Sequence, residues 1–301
     1  MSYFPKKGTL LDVRSPGEYA HAPIPGALSL PLFSDEERAA VGTCYKKRGK
    51  EKAFELGLQF VEPKLNSFIE TASSFAFPLT LYCARGGLRS ESMCALFSQA
   101  GIQTHRIEGG YKAFRNWALK TLSYPYTFHV LTGLTGSGKT ELLHQKQARG
   151  EPILDLEALA NHKGSVFGYQ GPQPSNEHFE NIIAKTLSQY PPDEPIWIED
   201  ESRMIGTCHI PTPIYNQIQQ GTFIPVTCSE AERRARIQAT YQNQTLEDLT
   251  RAASSLRKKL GHERTEKLLS ALRNHDPDAV LDLLLPYYDK AYQHSLLSRS
   301  P

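Results

Sequence analysis

The sequence lacks paired cysteines, a long apolar run and a marked excess of either charge. Its five cysteines, Cys44, Cys83, Cys94, Cys208 and Cys228, are odd in number and form no C-x-x-C. Neither a disulfide framework nor a zinc site is therefore expected, and a cysteine that matters must matter through its own reactivity. No stretch approaches the roughly 20 apolar residues of a membrane-spanning helix, and the opening MSYFPKKGTLLDV has no signal-peptide apolar segment. A cytoplasmic protein with no membrane partner is the expectation. Glycine and proline, 21 and 20 of 301 residues, are too few for a collagen-like or low-complexity chain. The length suits two domains, each able to bury a core, and no internal repeat is visible.

Lys+Arg total 34 and Asp+Glu 32, but the balance is uneven along the chain. Residues 1–125 carry 16 basic and 11 acidic residues, and residues 126–301 carry 18 and 21. Within the acidic half, 233–264 holds eight basic and three acidic residues. Two separated basic regions fit a grip on an extended polyanion; a solvated helix face is the plainer alternative for the second.

Apolar runs at Thr9–Val13 and Leu79–Cys83 read as buried strands. Arg89–Ala100, with Met93, Leu96 and Phe97 at helical spacing, reads as a helix that stops at Gly101. Thr104–Glu108 then reads as a strand and Tyr111–Leu119 as a helix, a parallel α/β order. Thr121–Tyr126 looks like a linker, which divides the chain into domains 1–122 and 123–301. The second half restarts with a strand at Thr127–Thr132, a Gly-rich loop and a helix from Lys139. Further strands are expected at Pro152–Leu156, Pro195–Ile198 and Phe223–Thr227, a helix at His178–Tyr190, and helices from about Thr245 to the end. The fold class is α/β: two parallel-sheet domains, the second with a helical C-terminal part.

Gly133-Leu134-Thr135-Gly136-Ser137-Gly138-Lys139-Thr140 matches G-x-x-x-x-G-K-[ST] between a strand and a helix. Gly133, Gly136, Ser137 and Gly138 let backbone amides curl around a phosphate, Lys139 neutralises it, and Thr140 can hold Mg²⁺. Glu199-Asp200-Glu201 closes a strand, and Asp200 is the candidate second metal ligand, with an N-cap cluster as the alternative. Arg203 could clamp an anion there or form a structural ion pair. Asp155 ends the strand after the loop helix, where a substrate-side acid or an ordinary loop acid fits equally.

Cys83-Ala84-Arg85-Gly86-Gly87-Leu88-Arg89-Ser90 joins a strand to a helix. Backbone amides, the helix dipole, Arg85 and Arg89 all favour a thiolate, so Cys83 reads as an ionised nucleophile beside an anion-sized pocket. Cys94, on the core face of the helix, is expected to be inert. Cys44 reads as part of a polar loop, inert by default and with a resolving role as the alternative.

Asp12-Val13-Arg14-Ser15-Pro16-Gly17-Glu18-Tyr19, Ile24-Pro25-Gly26-Ala27, Leu30-Pro31-Leu32, the Cys83 loop and Glu108-Gly109-Gly110-Tyr111 together resemble a rhodanese domain. Arg89 stands six residues after the cysteine, one more than in common single-domain sulfurtransferases. That spacing is shared with dual-specificity phosphatases and arsenate reductases, and its longer loop can enclose a phosphate-sized group. With the phosphate loop, Ala39-Ala40-Val41-Gly42-Thr43-Cys44-Tyr45-Lys46, Asp155-Leu156-Glu157, His162-Lys163-Gly164-Ser165, Phe167-Gly168 and Glu199 to Gly206, nearly the whole chain is similar to the tRNA 2-selenouridine synthase family.

The resemblance implies a rhodanese domain fused to a P-loop domain, and a transferase that replaces the sulfur of wobble 2-thiouridine in tRNA by selenium. It implies an S-geranyl intermediate made from geranyl diphosphate, and selenophosphate, delivered by a selenophosphate-producing enzyme, as donor. Cys83, Arg85 and Arg89 would serve the selenium step, and the phosphate loop with Asp200 and Arg203 the diphosphate. Mg²⁺ is a candidate, and no tightly bound cofactor is expected. Two other classes remain: a Cys-dependent phosphatase or arsenate reductase fused to a small-molecule kinase, and a non-catalytic nucleotide-regulated binding module. Phosphate release from an aryl phosphate marks the former, and cellular activity insensitive to Cys83→Ser and Lys139→Ala the latter.

Overall fold

The computed structural model describes residues 3–165, 167–241 and 244–297. The chain forms two compact units, Met1–Thr121 with Glu180–Lys185, and Leu122–Phe179 with Thr186–Pro301. Among the described residues no helix is long and apolar enough to cross a membrane.

The first unit runs β1 (Thr9–Asp12), α1 (Pro16–His21), β2 (Leu28–Ser29), α2 (Asp35–Val61), α3 (Leu65–Ser73), β3 (Leu79–Tyr82), α4 (Leu88–Gln99), β4 (Thr104–Arg106) and α5 (Gly110–Leu122). The sheet order is β2-β1-β3-β4, all parallel. Near-continuous apolar runs form β1 and β3 because parallel strands are covered on both faces; Leu11, Leu79 and Leu81 are fully buried. Met93 and Phe97, one turn apart on α4, complete this core with Phe68 of α3. The chain leaves β1 toward β2 on one side and returns as β3 on the other. The carboxyl ends of β1 and β3 therefore open at a topological switch point, where ligand crevices form.

One expectation is corrected here. The polar segment around Cys44 is helical, because Ser34 and Glu37 cap its start reciprocally: Ser34 N donates to Glu37 Oε2 at 2.8 Å, and Glu37 N to Ser34 Oγ at 3.2 Å. α2 is broken once, at Gly49, where φ is 86°. α5 likewise extends to Leu122, into the segment read as linker.

Beneath the crevice lies a buried charge network. Asp12 and Arg14 are 0% and 4% exposed. Arg14 Nη2 donates to Asp12 Oδ2 at 2.6 Å and to Ala22 O at 2.8 Å, the Tyr82 hydroxyl donates to Asp12 Oδ2 at 2.7 Å, and the guanidinium lies 4.0 Å from the Tyr111 ring centroid. Burial and the neighbouring carboxylate push the Tyr82 phenol far up, so it stays a donor.

After the first unit's helices the chain continues through β5 (Phe128–Thr132), α6 (Lys139–Ala148), β6 (Ile153–Leu154), α7 (Leu156–Leu159), α8 (Asn176–Leu187, whose residues Glu180–Lys185 group with the first unit), β7 (Ile196–Glu199), β8 (Met204–Ile205), β9 (Cys208–His209), α9 (Thr212–Gln219) and β10 (Thr222–Pro225). α10 (Glu230–Tyr241), α11 (Leu246–Ser255), α12 (Arg257–Leu260), α13 (His262–Arg273) and α14 (Pro277–Leu297) follow. The parallel sheet is ordered β10-β5-β7-β6, which again makes the end of β5 a switch point. The antiparallel β8–β9 hairpin, two residues per strand, is too short to show a periodicity in sequence. Leu268, Leu269, Leu272, Leu284 and Tyr288 pack with Phe167 into a core for the C-terminal helices. Helix was expected to the end of the chain; residues 298–301 lie outside those described.

Truncating one partner of a buried ion pair strands the other charge. Arg14→Ala should therefore cost about 3–5 kcal/mol in urea unfolding, whereas Arg38→Ala, whose side chain is 47% exposed, should stay within about 0.5 kcal/mol.

Candidate functional site

Cys83 follows β3 directly and is 3% exposed. Ser90 Oγ donates to its sulfur at 3.3 Å. Burial pushes the thiol up, but the Ser90 hydroxyl, the backbone amides of Ser90 and Arg85, and the Arg89 charge outweigh it, leaving Cys83 below its ordinary value. Burial pushes Cys94 up instead, and Cys208 likewise.

The amides of Arg85 and Ser90 reach the sulfur, and the first carbonyls of the loop are held elsewhere. Tyr111 N donates to Cys83 O and Lys112 N to Ala84 O, both at 2.9 Å, so the start of α5 takes up the outward-facing oxygens. This needs Gly86 and Gly110 in contact, both at positive φ. A Cβ on Gly110 would lie 2.1 Å from Cys83 O and 2.4 Å from Gly86 N, so no larger residue fits.

The two arginines separate. Arg85 is exposed. Arg89 Nη1 donates to Glu18 Oε2 at 2.8 Å, and Glu18 also accepts from Ser15 N and Oγ at 3.1 Å. Burial pushes the Glu18 carboxyl up, yet Arg89 and Ser15 bring it down to about 2. Glu18, which sequence reasoning did not single out, thus fixes Arg89 beside the cysteine loop.

In the second unit Gly138, at φ 97°, caps α6, and Lys139 Nζ lies across the loop, 2.8 Å from Gly133 O and 3.4 Å from Leu134 O. The Ser137 hydroxyl is buried with no hydrogen-bond partner. α10 braces the loop: Arg233 Nε donates to Thr135 O at 2.7 Å and Arg233 pairs with Asp289 of α14. Arg236, one turn away, passes Gly138, whose Cβ would lie 3.2 Å from the guanidinium carbon. Arg236 Nε bonds Glu141 at 3.0 Å while its Nη1 is buried without a partner. Lys139 and Arg236 line a cleft of about 1130 Å³ that also contains Thr140, Asp155, Glu157, Glu199 and Asp200.

The carboxylates there differ from expectation. Oxygens of Glu157, Glu199 and Glu201 lie within 4.8 Å of one another; burial raises all three pKa values, with repulsion from neighbouring carboxylates added, from Glu201 and Glu199 at Glu157, from Glu199 at Glu201 and from Asp155 at Glu199. Glu199 hydrogen-bonds Thr140, and its Oε1 is buried and unpartnered. Asp200, the residue picked from sequence, accepts from the Thr132 hydroxyl at 3.0 Å and is not one of the three. Hard oxygen donors with an orphaned carboxylate oxygen suit Mg²⁺, with Thr140 and Glu199 as the adjacent pair. Arg203 does not line the cleft: it bonds Thr212 Oγ1 at 2.9 Å and lies 5.5 Å from the Tyr215 ring centroid. Asp155 caps α7 through Ala158 N and meets His144 Nε2 at 2.8 Å.

The chain has relatives over most of its length. A family described as rhodanese-like domain matches residues 4–116, and one described as tRNA 2-selenouridine synthase AAA domain matches 126–301. Proteins named tRNA 2-selenouridine synthase are 36% identical in Marinobacter nauticus, covering 96% of this chain and 89% of that one, and 34% identical in Shewanella frigidimarina, covering 95% and 88%. Another in Pseudomonas fluorescens is 39% identical over 88% of this chain and 73% of its own.

Cys83 should react with iodoacetamide ahead of Cys94 at neutral pH, with a rate midpoint below the roughly 8.5 of a free thiol. Ser90→Ala should move that midpoint up. Site-resolved mass spectrometry against pH reads both; equal labelling of Cys83 and Cys94 would count against an activated thiolate.

Proposed function

Because the chain belongs to the tRNA 2-selenouridine synthase family, we propose that it is a tRNA-modifying transferase that exchanges the sulfur of wobble 2-thiouridine for selenium in two steps. The observation that carries this reading is the pairing, on one chain, of a cysteine whose thiol is held below its ordinary value with a phosphate loop beside which the Ser137 hydroxyl and Arg236 Nη1 are buried without a partner.

In the first step the 2-thio sulfur attacks C1 of geranyl diphosphate and diphosphate leaves. The departing group gathers negative charge, so groups that stabilise that charge lower the barrier. In this reading Lys139, the amides of the Gly133–Lys139 loop, the Ser137 hydroxyl and Arg236 would do so. Mg²⁺ held by Thr140 and Glu199, with Glu157 and Glu201 nearby, would add charge neutralisation.

Alkylation turns a thiocarbonyl sulfur into a thiolate leaving group, which prepares the second step. The selenium of selenophosphate then attacks the same ring carbon, geranylthiolate departs, and water cleaves the Se–P bond, releasing phosphate and leaving 2-selenouridine. In the cysteine loop, Arg85 is the exposed cation for the donor's phosphate, and Cys83 lies in the same loop as part of the selenophosphate-binding pocket. Arg89, fixed by Glu18, keeps positive potential at the sulfur. The donor itself would come from a selenophosphate-producing enzyme.

The division of labour predicts separable defects. Cys83→Ser should abolish selenium incorporation and leave geranylation intact; loss of both together would refute the division. Lys139→Ala should slow geranylation by about 10²-fold or more, the scale of losing one charge-stabilising group. Nucleoside mass spectrometry, after incubation with 2-thiouridine tRNA, geranyl diphosphate and selenophosphate, distinguishes the two products.

A further inference from the structure

Two basic regions were expected to contact a polyanion, and the structure treats them differently. In the segment 233–264, five of the eight cations are held in ion pairs. Arg233 pairs with Asp289, Arg234 with Asp282, Arg236 with Glu141, Arg251 with Glu247 and Arg257 with Glu266. Most of that charge is spent inside the unit. Of the two remaining lysines of that segment, Lys259 lines the phosphate-loop cleft.

On α2 the opposite holds. Lys46, Lys47, Arg48 and Lys50 are all exposed, and the first acid–base pair met along this stretch is Lys52 with Glu55. Gly49 breaks the helix in the middle of the run, with φ 86°. A Cβ at Gly42 or at Gly49 would meet nothing within 4 Å, so this elbow stands clear of the rest of its unit. Tyr45, 58% exposed, sits beside the lysines. The dipole of the first helical segment favours positive charge at its end, which accounts for a cation at Lys46 to Arg48 but not for Lys50 beyond the break or for an exposed aromatic ring.

We propose that the Gly49 elbow of α2 is the surface on which the phosphate backbone of the RNA substrate docks, with Tyr45 available to stack on an unpaired base. The proposal rests on the reading of the chain as a tRNA-modifying enzyme. Several unneutralised cations on an unobstructed edge match a polyphosphate backbone, and an aromatic side chain among them suits a nucleic acid better than a lipid headgroup.

The test measures binding of fluorescently labelled 2-thiouridine tRNA by anisotropy across a range of KCl concentrations. Each phosphate contact contributes about 0.9 to the slope of log K against log salt. The triple variant Lys46→Ala/Lys47→Ala/Lys50→Ala should lower that slope by about two to three, and weaken binding at least about tenfold near 0.1 M salt. The corresponding Lys→Arg triple should bind as wild type, and so should Arg251→Ala in the neutralised region. An alanine triple with wild-type slope and affinity overturns the proposal while leaving the tRNA reading intact. A wild-type protein that binds no tRNA overturns both. Loss of binding only to phosphatidylglycerol vesicles, with tRNA binding unchanged, overturns it in favour of a membrane surface.

Discussion

Backbone amides at the start of a helix have no partner within the helix, and both candidate sites are built on that constraint. Each follows a parallel strand at a switch point, so the amides open into a crevice rather than into packed side chains. In each loop some of the carbonyls are taken up by a partner outside it. In the first unit the start of α5 takes up the oxygens of Cys83 and Ala84; in the second, Arg233 takes up that of Thr135. What is left inside is a surface of donors whose natural complement is negative charge.

The buried charges fall into two kinds. Around Asp12 every strong donor and acceptor is matched: guanidinium, phenol and carboxylate satisfy one another. Such a network is rigid, and it holds the base of the cysteine crevice. Around Glu199 the matching fails, with three carboxylates close together and one oxygen orphaned. A buried acceptor without a donor costs about 1–3 kcal/mol, and a fold retains that cost where something outside the chain supplies the missing charge. Lys139 moderates the repulsion without abolishing it.

The strand, loop and helix order around each motif was legible in the sequence, and the contacts between distant segments were not. The cysteine loop and the phosphate loop are contiguous strings whose geometry follows from glycine, strand and helix in order. Glu157 stands some forty residues before Glu199 and Glu201, with no spacing rule to join them, so the acid in the middle of the run, Asp200, looked as good as its neighbours. The structure gives the two neighbours different surroundings, with Asp200 beside Thr132 and Glu199 beside Glu157 and Glu201. Glu199 is the last residue of β7, paired with Leu131 of the loop strand, and that register brings it to Thr140. Glu18 was passed over as part of a motif although its carboxylate fixes Arg89. α2 escaped because it buries little, with only Ala53 and Gly57 inside, and a helix exposed nearly all round shows no apolar stripe. Its cap, Ser34 with Glu37, was the signal available.

The braces on the phosphate loop come from the far end of the chain. Tyr292 meets the hydroxyl of Thr132, which lies 160 residues earlier, and Asp289 anchors Arg233 beside Thr135. During synthesis at about 5–20 residues per second, the loop therefore exists for roughly ten seconds or longer before its braces have been made. A ribosome-bound chain lacking α14 has its motif complete in sequence while Thr132 and Arg233 still lack these partners, so the bracing of the phosphate loop matures only once α14 has been made.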